Sequence, residues 1–189
     1  MMVWIVVGIV LVLIIALIAW FIGVYNKLVK ARNRVKNSWS QIDVQLKRRF
    51  DMIPNLMETV KGYAKHEESI FGAFAKARDV YARANETKEV KAISEANDML
   101  TGAISRLIAV SEQYPELKAN ANFTQMMSEL TNTEDKIAYT RQFYNDVVTT
   151  YNNLREVFPS SIVAGMFGFK EAELFKTDEA SRENVKVQF

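Results

Sequence analysis

The chain has one histidine, His66, and no cysteine, so acid–base or metal chemistry would fall to that imidazole and to Asp, Glu, Lys and Tyr side chains. A histidine among helical carboxylates raises di-iron chemistry, which needs a Glu-x-x-His arrangement on each of two helices and two further inward glutamates. The residue three before His66 is Tyr63, so that arrangement is missing. Next to Glu67 and Glu68, His66 reads as part of a solvated helix face. The lack of cysteine excludes a thiol nucleophile, Cys-ligated zinc and a disulfide framework. No Gly-rich phosphate loop, metalloprotease histidine pair or Ser-centred elbow occurs in the sequence. We expect no enzyme, no catalytic residue, no metal and no cofactor.

The residues that remain must be positioned by helices. Of 189 residues, 49% are hydrophobic and 24% charged, with only 7 Gly and 3 Pro, the composition of a folded, helix-rich chain. Residues 1–24 carry no charged side chain, and that many helical residues reach ~36 Å, enough to cross a ~30 Å hydrocarbon core with some tilt. No Lys or Arg precedes this run and it is longer than the apolar core of a secretory signal, so it reads as a retained transmembrane anchor. Trp4 near one end, and Trp20 with Tyr25 at the other, are spaced as two interfacial aromatic belts.

Charge then orients the anchor. From Val24 to Arg49 eight basic residues, among them Lys27, Lys30, Arg32, Arg34 and Lys36, stand against Asp43 alone, a net +7. Beyond Phe50 the balance is −5, from 16 basic and 21 acidic residues. By the positive-inside rule the N-terminus is expected outside and the remaining chain in the cytoplasm, a single-pass protein of the cell membrane. No nucleic-acid partner is expected.

After the anchor the apolar spacing is helical. Val35, Ile42, Leu56, Tyr63, Ile70 and Ala77 share one seven-residue series with Arg49, and Trp39, Leu46, Ile53, Val60 and Phe74 share a second with Arg32 and Glu67. The stripe holds its register through Pro54, which predicts one helix reaching about Arg83 with a kink near Pro54; Asp51 as the cap of a separate second helix is the alternative. The chain is expected to turn at Asn85–Lys88, and the next helix to carry Ile93, Leu100 and Leu107 and to stop at Pro115. A loop is expected over 115–122, then a third helix with Phe123, Leu130, Ile137, Tyr144, Tyr151 and Phe158 at strict sevens, ended by Pro159. Such stripes bury themselves only against one another. The expected fold is therefore all-α: an anchor over 1–24, an elongated antiparallel bundle of three to four long helices over 25–158, and a C-terminal segment over 159–189 packed on the bundle. Within that segment, packing of Ile162 to Phe169 on the bundle is favoured over dipping into lipid.

The run Trp39-Ser40-Gln41-Ile42-Asp43-Val44-Gln45-Leu46-Lys47-Arg48-Arg49, with Ile53-Pro54-Asn55-Leu56 and Val60-Lys61-Gly62-Tyr63-Ala64 after it, is similar to the signature of the LemA family of bacterial membrane proteins. So are Glu112-x-Tyr114-Pro115-x-Leu117-Lys118-Ala119-Asn120, the pairs Tyr144-Asn145 and Tyr151-Asn152, Phe158-Pro159, and Val187-Gln188-Phe189. The resemblance runs from about Tyr25 to Phe189. It implies a membrane-anchored, mostly four-helix bundle of no established biochemical activity, with relatives that include a magnetosome-membrane protein and genes often beside that of a membrane metalloprotease.

Several motif residues are polar at core positions: Arg49 and Glu67 on the first helix, Glu134 and Arg141 on the last. They are expected either to pair in a buried polar network or to lay their stems along the bundle with charged heads in water. Lys47 and Arg48 lie off the stripe, ~35 Å of helical rise beyond Val24 and far outside the ~8 Å Debye length, and are expected to serve a partner. The leading function is a structural, scaffolding or protein-interaction role, with Ala19 and Gly23 as a small-xxx-small pair that would permit homo-oligomers. The alternative is a lipid-binding or membrane-organising module using the basic juxtamembrane residues.

Overall fold

A computed structural model describes residues 1–63 and 67–175. His66 and Val187-Gln188-Phe189 lie outside the described residues. Helix α1 spans Met2–Lys61, α2 Glu68–Thr87, α3 Val90–Ser111, α4 Pro115–Lys118, α5 Ala121–Glu156 and α6 Ser160–Met166. No strand occurs among the described residues. The start of α1 is long and apolar enough to cross a membrane, and its side chains are exposed.

Two compact units emerge among the described residues, Met1–Trp39 with Tyr144–Ala172, and Ser40–Phe143 with residues 173–175. In the second unit, four helical segments bury a shared core. Ile42, Leu46, Ile53, Leu56 and Val60 of α1 and Ile70, Phe74 and Ala77 of α2 recur at three, four or seven residues, and Ile93, Leu100 and Leu107 of α3 and Phe123, Leu130 and Ile137 of α5 recur every seven. Helix directions follow from named pairs. Phe50 stacks on Tyr81 while Lys61 lies over Phe71, so α2 runs back along α1. Arg49 meets Asn97 and Glu67 meets Tyr114, so α3 runs parallel to α1. Tyr63 meets Asn120 and Arg49 meets Glu134, so α5 is again antiparallel. This is an up-down-up-down helical bundle.

In the first unit, Leu28 of α1, Tyr151 of α5, Val163 and Ala164 of α6 and Phe169 form the core, with Phe21, Val24, Tyr25 and Leu154 packed beside it. Trp39 and Tyr144 meet edge to face with centroids 5.5 Å apart.

Three expectations are corrected. The first helix ends at Lys61, not near Arg83. The amides of Gly62 and Tyr63 fold back onto the Thr59 and Val60 carbonyls at 3.3 and 3.0 Å, a tightened final turn at a poor helix former. The helix does pass through Pro54, which is exposed, so its ring meets water and not the core. Second, the segment after Pro115 is not all loop: α4 occupies it, with Pro115 at its first turn, where a missing N–H costs nothing, and Leu117 buried. Third, Phe158 is 80% exposed and not part of the core series, because α5 ends at Glu156 and a residue before proline disfavours helical geometry.

Candidate functional site

The most unusual side chain in the second unit is Arg49, a guanidinium only 2% exposed in the middle of an apolar stripe. Its Nη1 donates to Asn97 Oδ1 at 2.5 Å and its Nη2 to Thr101 Oγ1 at 3.1 Å, both on α3. Across the bundle Nη2 lies 2.5 Å from Glu134 Oε2 of α5. Burial pushes the Arg49 pKa down while the carboxylates of Glu134 and Asp98 pull it back up. A guanidinium stays protonated at physiological pH in such a setting and offers no base. Its Nε is buried without a partner. The arrangement ties three helices at one level, and Glu134, the carboxylate paired with the guanidinium, has a side chain 36% exposed.

Glu67 and Arg141 stand apart from this node. Glu67 accepts a bond from the Tyr114 hydroxyl at 3.2 Å, and Arg141 is half-buried on α5. The Tyr114 pKa is raised, first by that hydrogen bond to the carboxylate. Asn97 and Thr101 escape a search for charged residues. They stand four apart on α3 with Asn97 directly after stripe residue Ala96, and a buried arginine on the facing helix is the signal that such amide and hydroxyl partners must exist.

Much of the long polar motif 112–120 is spent on building the bundle end. Lys118 Nζ reaches both carboxylate oxygens of Glu112 at 2.6 and 2.8 Å. Asn120 accepts the Phe123 amide at 3.0 Å, capping the start of α5, and donates to the Tyr63 hydroxyl at 3.0 Å. In the first unit, Tyr151 donates to the Lys170 carbonyl at 2.7 Å, and the Asn152 amide pairs with both backbone groups of Ala172 at 2.9 and 3.0 Å. These bonds hold the chain after α6 against α5.

Other residues are on the surface. Lys47 is exposed, and Arg48 lies 3.6 Å from Glu129 with both side chains about half exposed. Glu129 also lines an open groove of about 520 Å³ between α1 and α5, with Met52, Asn55 and Met126 among others. Lys27, Lys30, Arg32, Arg34 and Lys36 are exposed along α1, with the Arg32 guanidinium 5.0 Å from the Phe169 ring centre. Trp4 and Trp20 are exposed, whereas Tyr25 is half-buried against Phe167 and Phe169. Among the described residues no three His, Cys, Asp or Glu side chains gather as a metal site.

The chain is 28% identical over 190 residues to Magnetosome protein MamQ 2 of Paramagnetospirillum magneticum, covering 88% of this chain and 70% of that one. It is 27% identical over 167 residues to Protein LemA of Metamycoplasma hominis, covering 87% and 74%. Magnetosome protein MamQ of Magnetospirillum gryphiswaldense is 26% identical over 185 residues, covering 86% and 68%. A family model described as the LemA family matches residues 38–189, and with its helical bundle, its apolar N-terminal helix and the motifs that brace them, this chain belongs to the LemA family.

Proposed function

We propose that the protein is a single-pass, membrane-anchored scaffold whose helical bundle binds other proteins on the cytoplasmic side. One observation carries this reading: the polar motif residues are consumed by structure. Arg49, Glu112, Lys118, Asn120, Tyr151 and Asn152 all bond within the fold, and these motif residues do not converge as an acid, base and nucleophile among the described residues. Recognition then falls to the surface, and the exposure of Lys47 and of Arg48, which pairs with the groove residue Glu129, supports these two as partner contacts. The magnetosome names of several relatives agree with a role at a membrane.

The test is a photo-crosslinking residue at Lys47 or Met126 of the full-length protein in cells, followed by identification of what is captured. A discrete captured protein, lost when Lys47 and Arg48 are replaced by Gln, supports the scaffold. Capture of this chain alone would make it a homo-oligomer; capture of nothing would remove the groove from the proposal. A second reading, a lipid-organising module, rests on the exposed Lys27, Lys30 and Arg34. Anionic lipid enriched around the purified protein, and lost when these three become Gln, would favour it.

A further inference from the structure

The first unit holds an apolar surface that its own core does not cover. From Val157 to Phe169 the sequence runs thirteen residues without a charge, between Arg155-Glu156 and Lys170-Glu171. Helix α6 lies within that run and divides it by face. Val163 and Ala164, with Phe169 just beyond, are buried in the core built around Leu28 of α1. Ile162 and Met166, one turn apart, are 52% and 68% exposed, and Val157, Phe158 and Phe167 add 53%, 80% and 51%. Scattered surface apolar residues need no explanation, but five within eleven consecutive residues do.

Their place along α1 supplies it. The Phe167 ring packs against Phe21 and Tyr25 with centroids 5.8 and 4.7 Å apart. Phe21 belongs to the apolar run that reaches Val24, and Tyr25 follows directly. The surface is therefore continuous with the end of the apolar span, at the depth where an interfacial helix lies, roughly 5–10 Å into the headgroup and acyl boundary. The backbone is suited to that environment, where unpaired amides are costly. The Ser161, Phe167, Gly168 and Phe169 amides bond to the carbonyls of Val157, Val163, Gly165 and Ala164 at 2.9, 3.1, 3.3 and 3.0 Å. Arg155-Glu156 and Lys170-Glu171 bound the run with charge of both signs, Arg155 pairing with Glu156 and Glu171, as a polar rim around an apolar surface.

We propose that the exposed face of α6, with Phe158 and Phe167 at its two ends, lies in the lipid interface beside α1 and forms a second, non-spanning membrane contact. This rests on the reading of residues 1–24 as a transmembrane anchor. The contact would restrict rotation of the protein about the axis of α1, which a lone spanning helix leaves free.

The chain has no cysteine, so single cysteines can be placed and labelled without removing any. Full-length protein carrying Ile162→Cys or Met166→Cys, labelled with an environment-sensitive fluorophore, is reconstituted into phosphatidylcholine–phosphatidylglycerol vesicles. Val44→Cys on an exposed turn of α1 and Ile14→Cys in the apolar span serve as references. Shallow brominated lipid is expected to quench positions 162 and 166, deeply brominated lipid to quench position 14, and aqueous iodide to reach 162 and 166 several-fold less than position 44. Iodide access equal to that at Val44 overturns the contact, and so does shielding from both quenchers, which would mean a protein covers the face. Lipid quenching at Ile14 without quenching at 162 and 166 defeats only this proposal. Its absence at all three defeats the anchor as well.

Discussion

Arg49 Nη2 and Glu134 Oε2 approach to 2.5 Å between α1 and α5, one side chain 2% exposed and the other 36%. The burial of Arg49 sets what each substitution costs. Arg49→Gln leaves Asn97 and Thr101 without their donor and a carboxylate without its cation, and is expected to destabilise the bundle by about 2–4 kcal/mol. Glu134→Gln keeps an amide oxygen that can accept from Arg49 but leaves a guanidinium 2% exposed without its counter-ion, and should also cost about 2–4 kcal/mol. Chemical denaturation of the detergent-solubilised protein measures both, and equal, negligible effects would deny Arg49 its internal role.

Lys47 and Arg48 are the contrasting case, adjacent in sequence but outside the core. The Arg48–Glu129 pair at 3.6 Å, with exposures of 53% and 44%, belongs to the class worth ~0–1 kcal/mol. Replacing both basic residues by Gln should leave the melting temperature nearly unchanged while reducing the amount of crosslinked partner. A melting temperature lowered as much as by Arg49→Gln would mean that they stabilise the fold.

The difference between these neighbours was legible in the sequence because helical periodicity alone separates position 49 from 47 and 48. The break after Lys61 was not. Leu56, Tyr63 and Ile70 keep a seven-residue interval across it, so the pattern runs on although Tyr63 lies outside the helix and is 37% exposed. Periodicity records which residues are apolar, and a reversing chain whose turn happens to preserve the interval leaves no trace in it. Gly62 directly after Lys61 was the available sign, a helix former followed by a poor one. The partners of Arg49 were illegible for another reason, since which helices face each other depends on tertiary packing. The exposed face of α6 was hidden likewise, because composition shows an apolar segment without showing which side stays uncovered.

Tyr81 stacks on Phe50 with ring centroids 3.9 Å apart, and its hydroxyl is buried without a partner. Burial, reinforced by the carboxylates of Asp43 and Asp51, pushes its pKa from 10.0 up to about 12. The contribution to stability is complete below pH 10 and is lost as pH rises to about 12, because in that window the unfolded phenol ionises and the folded one does not. Tyr81→Phe keeps the stack and removes the unsatisfied group, so it should be neutral or stabilising by up to ~1 kcal/mol and flatten the alkaline decline. Denaturation midpoints measured between pH 9 and 12 check this, and an unchanged slope in the variant would reject it.

Pro54 is exposed inside α1 and denies the helix one backbone bond. Pro54→Ala should preserve the fold and raise stability by about 1 kcal/mol, less than the ~3 kcal/mol propensity gap because the unfolded chain also gains freedom. Circular dichroism melts decide it, and a large loss of stability would mean that the proline shapes the path of α1.

Orientation in the membrane is the last expectation, and it follows from charge next to the apolar run. Lys27, Lys30, Arg32, Arg34 and Lys36 are all exposed on α1 and lie within about twelve residues of Val24, the region in which basic residues set topology. Carrying them outward would move several cations against the membrane potential, at ~2.3 kcal/mol per charge per 100 mV. Retaining them favours an external N-terminus and a cytoplasmic bundle. With Val44→Cys in a chain that has no other cysteine, a membrane-impermeant maleimide should label the protein only after spheroplasts are lysed, and protease added outside should leave the bundle uncut. Labelling of intact spheroplasts would reverse the orientation and move the site of any Lys47 and Arg48 partner to the outer side of the membrane.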